Sequence, residues 1–285
     1  MTATAIPTLS PHGHLARLVG DQRFLLVFSP GLLMQVMHPV IGAAVNDHSV
    51  FRTDPWGRAR RSLDSVLTWI YGGDLAVAEG ARLREMHKHI KGTDAQGRSY
   101  HALDGEAYAW VNNTVFERLV VMCRLLGRPL GPEQERELYA ECRVLGRILQ
   151  VAEREIPPTV EEYWAYFDRI VATRLENTAV AHEVLAGFRD PLPPPFVPKL
   201  ATLPWRPVGG TIGRVGNLFT VGSLAPEVRE ILGLRWTRLD QRALDAACLG
   251  IRTGFPLLPE RVRYLPKAYR TRRTGRWEYG LPAAG

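Results

Sequence analysis

The 285-residue sequence predicts an all-α protein, a single large helical domain, and three observations carry that expectation. Apolar residues recur at helical spacing, as in Leu63, Val66, Leu67 and Ile70. Helix starts carry capping residues, most fully Thr159-Val160-Glu161-Glu162 after Pro157-Pro158. The joints between the periodic stretches in the centre of the chain are short, and 46% hydrophobic residues suffice to bury a large core.

Taken in order, residues 1–16 read as a flexible N-terminus. From Phe24 to Asn46 there is no acidic or basic residue, about the length that crosses a bilayer. Ser29-Pro30-Gly31 breaks that run, and Gln35, His38-Pro39 and Asn46 are costly in lipid, so it reads as a short extended segment and then a helix buried on all sides from Leu32 to Val45. No transmembrane segment is expected.

A second helix spans about Trp56 to Tyr71, with Arg58, Arg61, Ser62 and Ser65 opposite its apolar stripe and Gly72-Gly73 ending it. Asp74 caps a third, running through His87 to Gly92. Residues 93–103 form a polar link, and Asp104 caps a fourth helix that reaches Gly127. Helices follow over Glu133–Val151 and Thr159–Phe188. The proline-rich stretch Asp190–Pro207 reads as a crossing loop, a seam or lid. Helices at roughly 209–222, 225–233 and 238–254 and a basic helix from about Glu260 complete the chain. The main domain is expected to cover residues 17–270, with a basic tail at 271–285.

The net charge of +7 is almost wholly arginine, with lysine only at positions 88, 91, 199 and 267. Because the arginines are spread along the chain, they argue against a nucleic-acid arm. A milder cluster, from Arg261 to Arg276, is interleaved with Tyr264, Tyr269, Trp277 and Tyr279. It reads as a solvated terminus whose aromatics pack back on the body, with peripheral membrane contact left open. Cys123, Cys142 and Cys248 show neither zinc nor disulfide spacing, and the first residues lack the features of a secretory signal. A cytoplasmic protein is expected.

Two stretches carry candidate chemistry. Leu83, Met86, His87 and Ile90 share one helical stripe, while His89 points elsewhere. An imidazole on an apolar stripe is either a hydrogen-bonded core histidine or an axial ligand for haem iron. His38, in the buried helix, is open to the same two readings. Arg58, Arg61 and Ser62 form either a solvated helix face or the wall of a site.

An ordered set of motifs bears on these readings. Gln35-Val36-Met37-His38-Pro39, Asp47-His48-Ser49, Arg58-x-x-Arg61-Ser62, Tyr71-Gly72, Met86-His87-x-x-Ile90-x-Gly92-Thr93, Trp110-Val111 and Leu224-Ala225-Pro226 follow one another in the chain. Over about residues 17 to 270 this order resembles the catalytic domain of the MpaB-type and latex-clearing rubber oxygenases.

The resemblance implies a buried pocket between core helices that holds haem b non-covalently, with His87 as the proximal iron ligand. It sets Arg58, Arg61 and Ser62 in the place of an Arg-x-x-Lys-Thr distal set. Arginine stands where the rubber-cleaving branch has lysine, and a guanidinium has no lone pair to offer iron. Rubber is therefore not the expected substrate. Arg58 and Arg61 are candidate partners of the haem propionates, and His38 is a candidate second residue at the cofactor. The implied function is a haem-dependent oxygenase or oxidoreductase that uses dioxygen or peroxide on a hydrophobic, isoprenoid or lipid-like small molecule. The alternative is a helical haem or hydrophobic-ligand carrier or sensor without turnover.

Overall fold

Apart from one small hairpin, the regular structure is helical. The structure, a computed structural model, describes residues 8–195 and 202–282. The elements are α1 (His14–Gly20), α2 (Phe24–Met37), α3 (Pro39–His48), α4 (Pro55–Tyr71), α5 (Asp74–His87), β1 (Lys91–Thr93), β2 (Ser99–His101), α6 (Gly105–Leu126) and α7 (Pro132–Ile148). They continue with α8 (Val160–Thr173), α9 (Ala179–Arg189), α10 (Thr202–Gly222), α11 (Pro226–Ile231), α12 (Arg238–Gly254), α13 (Glu260–Arg263) and α14 (Pro266–Thr274).

The long helix α6 is the axis of the core. Asp104 caps it, its carboxylate accepting from Ala107 N at 3.0 Å. Trp110, fully buried, donates its indole N–H to Met34 O at 3.1 Å and ties α6 to α2. Phe116 stands edge-on to Tyr163 of α8 at 4.7 Å between ring centroids, with Tyr139 of α7 at 4.8 Å. Full burial of an aromatic such as Phe116 contributes about 1.5–3 kcal/mol, and the edge-to-face geometry adds to it. On its other side α2 packs against α9 and α10.

Three local expectations are corrected. The Phe24–Asn46 run is not an extended segment followed by one helix: α2 passes straight through Pro30, and the break comes at His38. A proline disfavours the helical conformation of the residue before it, and His38 is extended with ψ 124°, so α3 leaves at 100° to α2. Among the described residues no single helix is long and apolar enough to cross a membrane.

The third helix stops at His87, not Gly92. Residues 91–101 form an antiparallel hairpin with Lys91 opposite His101 and Thr93 opposite Ser99. Its signal is in the turn: Asp94 accepts from the backbone N–H groups of Gln96 and Arg98 at 2.9 and 2.8 Å, a side-chain turn motif that needs no apolar alternation. The expected Thr159–Phe188 helix is two helices, α8 and α9. Thr159 caps the first, accepting from Glu162 N at 3.2 Å, and Thr178 caps the second, accepting from Ala181 N at 3.1 Å.

Of the proline-rich Asp190–Pro207 stretch, residues 196–201 lie outside the described part, and α10 begins at Thr202. The end of α1 meets the joint between α13 and α14. Leu265 N donates to Gly20 O at 2.7 Å and Gln22 N to Arg263 O at 2.8 Å. Lys267 pairs with Asp64 of α4 at 2.6 Å, and the Arg272 guanidinium lies 4.7 Å over the Tyr264 ring. The positions taken as domain boundaries, 16–17 and 270–271, fall inside α1 and α14.

Candidate active site

The candidate residues are set by α4 and α5, consecutive helices packed against each other. Asp54 caps α4, accepting from Gly57 N at 2.9 Å, and the same carboxylate accepts from Arg61 Nη1 at 3.2 Å. Arg58 and Ser62 stand one turn apart on one face of α4, and Arg58 Nη1 donates to Ser62 Oγ. Arg58 Nε also reaches Ser49 Oγ, just beyond α3, at 3.4 Å. Burial and the charge of Arg61 lower the Arg58 pKa, yet its side chain keeps contact with solvent. Guanidinium retains its charge here.

His87 is the last residue of α5 and lies close enough to Arg58 to feel its charge. Its Nδ1 lies 2.7 Å from Leu83 O. A carbonyl oxygen only accepts, so Nδ1 carries the proton and Nε2 keeps a lone pair. The ring is edge-on to Tyr108 of α6, 6.1 Å between centroids, and Tyr108 is fixed by donating to Leu149 O at 3.0 Å. Burial holds the His87 pKa below the usual imidazole value, the Leu83 carbonyl opposes this, and the nearby Arg58 charge adds to the lowering. The imidazole is neutral at pH 7.

Deeper between them, α4 and α5 are fastened by Glu79, fully buried, which accepts from Ser65 Oγ at 2.7 Å and from Arg82 at 2.6 and 2.7 Å. Close approach does the rest: a Cβ at Gly80 would lie 2.0 Å from Ile148 O, so only glycine lets α5 sit this near the end of α7.

Two expectations about these helices need correction. Ser65 is buried against α5, so the hydroxyl-bearing face of α4 runs from wetted at Arg58 to dry at Ser65. The stripe through His87 is not continuous either, because Met86 is 43% exposed and Ile90 lies beyond the helix end. Leu83 and His87, four apart, share a face; Met86 is turned about 100° from His87.

His38 sits elsewhere, in the α2–α3 joint. It is 3% exposed, neither ring nitrogen has a hydrogen-bond partner, and Nε2 is 3.8 Å from Glu106 Oε1. Glu106 itself is taken by Arg174 at 2.6 Å. Burial lowers the His38 pKa while the charges of Glu106 and Asp104 raise it. Glu106 and Tyr108 are two residues apart, hence about 200° apart around α6, so His38 and His87 approach that helix from different faces.

Ser49 and Tyr108 were not singled out from sequence. Ser49 had a signal in the Asp47-His48-Ser49 motif; Tyr108 had none, being an ordinary residue of the first turns of α6. The described residues contain no cluster of three or more His, Cys, Asp or Glu side chains able to hold a metal ion. Two concavities are formed, and neither is lined by Arg58, Ser62 or His87. One of about 440 Å³ lies between α4 and the C-terminal segment, lined by Asp64, Lys267 and Tyr279; one of about 630 Å³ lies between α9, α10 and the α11–α12 joint.

Comparison with known proteins places this geometry in a family. Residues 16–253 match the family described as ER-bound oxygenase mpaB/B'/Rubber oxygenase, catalytic domain. Uncharacterized proteins of Mycobacterium bovis and Mycobacterium tuberculosis are each 27% identical over 248 residues, 84% of this chain and 91% of the relative. No solved structure matches the chain. The family match runs from α1 to α12 and takes in Ser49, Arg58, Arg61, Ser62, His87 and Tyr108, so the chain belongs to the mpaB/rubber oxygenase catalytic-domain family of oxygenases.

Proposed function

We propose that the protein is a haem b-dependent oxygenase acting on a hydrophobic, isoprenoid or lipid-like small molecule with dioxygen or peroxide. His87 carries this reading: it is a neutral imidazole whose tautomer is fixed by Leu83 O, and it stands near Arg58, which is bonded to Ser62. An axial ligand needs just that arrangement, with one nitrogen anchored to a carbonyl and the other bearing the lone pair. One protein ligand suffices, because the macrocycle supplies four donors. Haem b bound there would supply an iron centre able to activate dioxygen or peroxide.

The other residues take roles their chemistry allows. Arg58 and Arg61 would hold a bound haem by offering guanidinium forks to its propionate carboxylates. Arg61, always charged and without a lone pair, would not itself coordinate iron. Ser62 Oγ accepts from Arg58 and keeps its own proton to donate. Tyr108 and Glu79 hold the walls. His38 is assigned to the α2–α3 joint and not to iron. The three buried free cysteines support a reducing, cytoplasmic setting.

The test is dioxygen uptake by haem-loaded protein across a panel of isoprenoid and lipid substrates, with product measured. Uptake matched by product and abolished in His87→Ala supports the reading. A haem-loaded protein inert with both dioxygen and peroxide across the panel favours a carrier or sensor.

A further inference from the structure

We propose that the concavity between α9, α10 and the α11–α12 joint binds an anionic amphiphile, an apolar chain ending in an oxyanion. Its lining includes none of Arg58, Arg61, Ser62 and His87, and it does not depend on haem. Its volume, about 630 Å³, falls within the range of roughly 300–1,000 Å³ common to small-molecule sites. The lining divides by chemistry. Leu185, Leu218, Val221, Leu234 and Trp236 supply an apolar floor, while Arg189, Arg214 and Arg235 bring guanidinium groups to it.

Positive charge exceeds negative along this lining. Among the described residues Arg214 and Arg235 have no hydrogen-bond or ion-pair partner, whereas Arg189 meets Asp190 at 3.2 Å. The one acid of the lining, Asp240, stays ionised but has its Oδ2 turned to the cap of α12, where it accepts from Thr237 N at 2.8 Å and Thr237 Oγ1 at 2.7 Å. Two unpaired arginines in an apolar lining match an oxyanion tethered to an apolar chain.

The wall is rigid before any ligand arrives, which lowers the entropic cost of binding. Trp236 donates its indole N–H to Gln241 Oε1 at 3.0 Å, and the Arg229 guanidinium lies 5.6 Å over its ring. The indole packs so closely on α10 that a Cβ at Gly222 would lie 2.6 Å from it. Gly233, at φ 63°, closes α11 by letting Leu234 N bond back to Arg229 O at 2.9 Å, and this turn delivers Leu234, Arg235 and Trp236 to the concavity.

Calorimetric titration of the full-length protein with decanoate tests the proposal, with butyrate, decyl phosphate, inorganic phosphate and phosphatidylglycerol vesicles as further arms. The expected result is one decanoate per chain, with decyl phosphate comparable and butyrate and inorganic phosphate at least tenfold weaker. The Arg214→Ala/Arg235→Ala variant should lose at least tenfold for decanoate while keeping the native circular dichroism, since both side chains are exposed. Arg235→Glu alone, in the α11–α12 joint, repeats the test with a smaller perturbation. Absence of decanoate binding, binding unchanged in the variants, or inorganic phosphate binding as tightly as decanoate overturns the proposal. So does arginine-dependent vesicle binding without binding of soluble decanoate, which would make this face a bilayer contact.

Discussion

Gly80→Ala is the smallest change that separates packing from chemistry in the α4–α5 unit. The added Cβ would lie 2.0 Å from Ile148 O, and no Cβ tolerates a neighbour under 3.0 Å, so backbone must move by about 1 Å. Neither side yields easily: the carbonyl belongs to the last turn of α7, and α5 is fastened to α4 through Glu79. Overpacking of this kind costs up to about 3 kcal/mol, and alanine's better helix propensity returns about 1 kcal/mol. A net loss of about 2 kcal/mol lowers Tm by about 4–8 °C in a chain of this size. Gly187→Ala in α9 is the control. Nothing lies within 4 Å of its added Cβ, so the propensity gain of about 1 kcal/mol stands alone and Tm rises. Thermal unfolding by circular dichroism reads both, and a Gly80→Ala protein as stable as the parent refutes the close approach of α5 and α7 on which the position of His87 depends.

Three further outcomes follow from buried polar groups. Glu79→Ala leaves Ser65 Oγ and the Arg82 guanidinium without their acceptor and is expected to cost about 2–4 kcal/mol, below the upper range for buried pairs because Arg82 is partly wetted; a denaturant midpoint unchanged from the parent contradicts it. Tyr71→Phe removes the donor to Ala16 O in the α1–α4 contact and costs about 1–3 kcal/mol by the same measurement; a neutral substitution would mean that this carbonyl finds another donor. The buried His38 has a folded-state pKa below its unfolded value, so the unfolded chain binds the extra proton. Stability is therefore full above about pH 6.5 and falls as the pH drops through that value, by no more than about 1.4 kcal/mol per pH unit from this residue. Denaturant midpoints from pH 7.5 to 5 should show the decline, with a shallower slope in His38→Gln; an identical slope assigns it to other groups.

Capping chemistry was legible in part, because it is local: Asp104 and Thr159 start α6 and α8 as read from sequence, whereas Asp74, expected as a cap, is the first residue of α5 and Gly73 stands at the cap position without a side-chain bond. Pro30 misled because a proline inside a helix is costly only if packing does not outweigh it, and α2 is enclosed by α6, α9 and α10. The hairpin at 91–101 was read as a link because its strands are three residues each and its order comes from Asp94.

At the site, the shared face of Arg58 and Ser62 and the inward turn of His87 were visible as spacing. Their convergence with Ser49 and Tyr108 was not, since those residues come from α3 and α6 through tertiary packing. The burial of Ser65 was hidden likewise: its partner Glu79 lies a helix away, and a polar residue looks wetted until its acceptor is known.

The proposed function rests on His87 as the axial ligand of a haem. Protein from haem-supplemented cells, examined by absorption spectroscopy with a pyridine haemochrome assay, tests it directly when the parent, His87→Ala and His38→Ala are compared. A Soret band at about one haem per chain is expected in the parent and in His38→Ala, and its loss in folded His87→Ala. A colourless parent that cannot be reconstituted, or haem kept in His87→Ala and lost in His38→Ala, would contradict it.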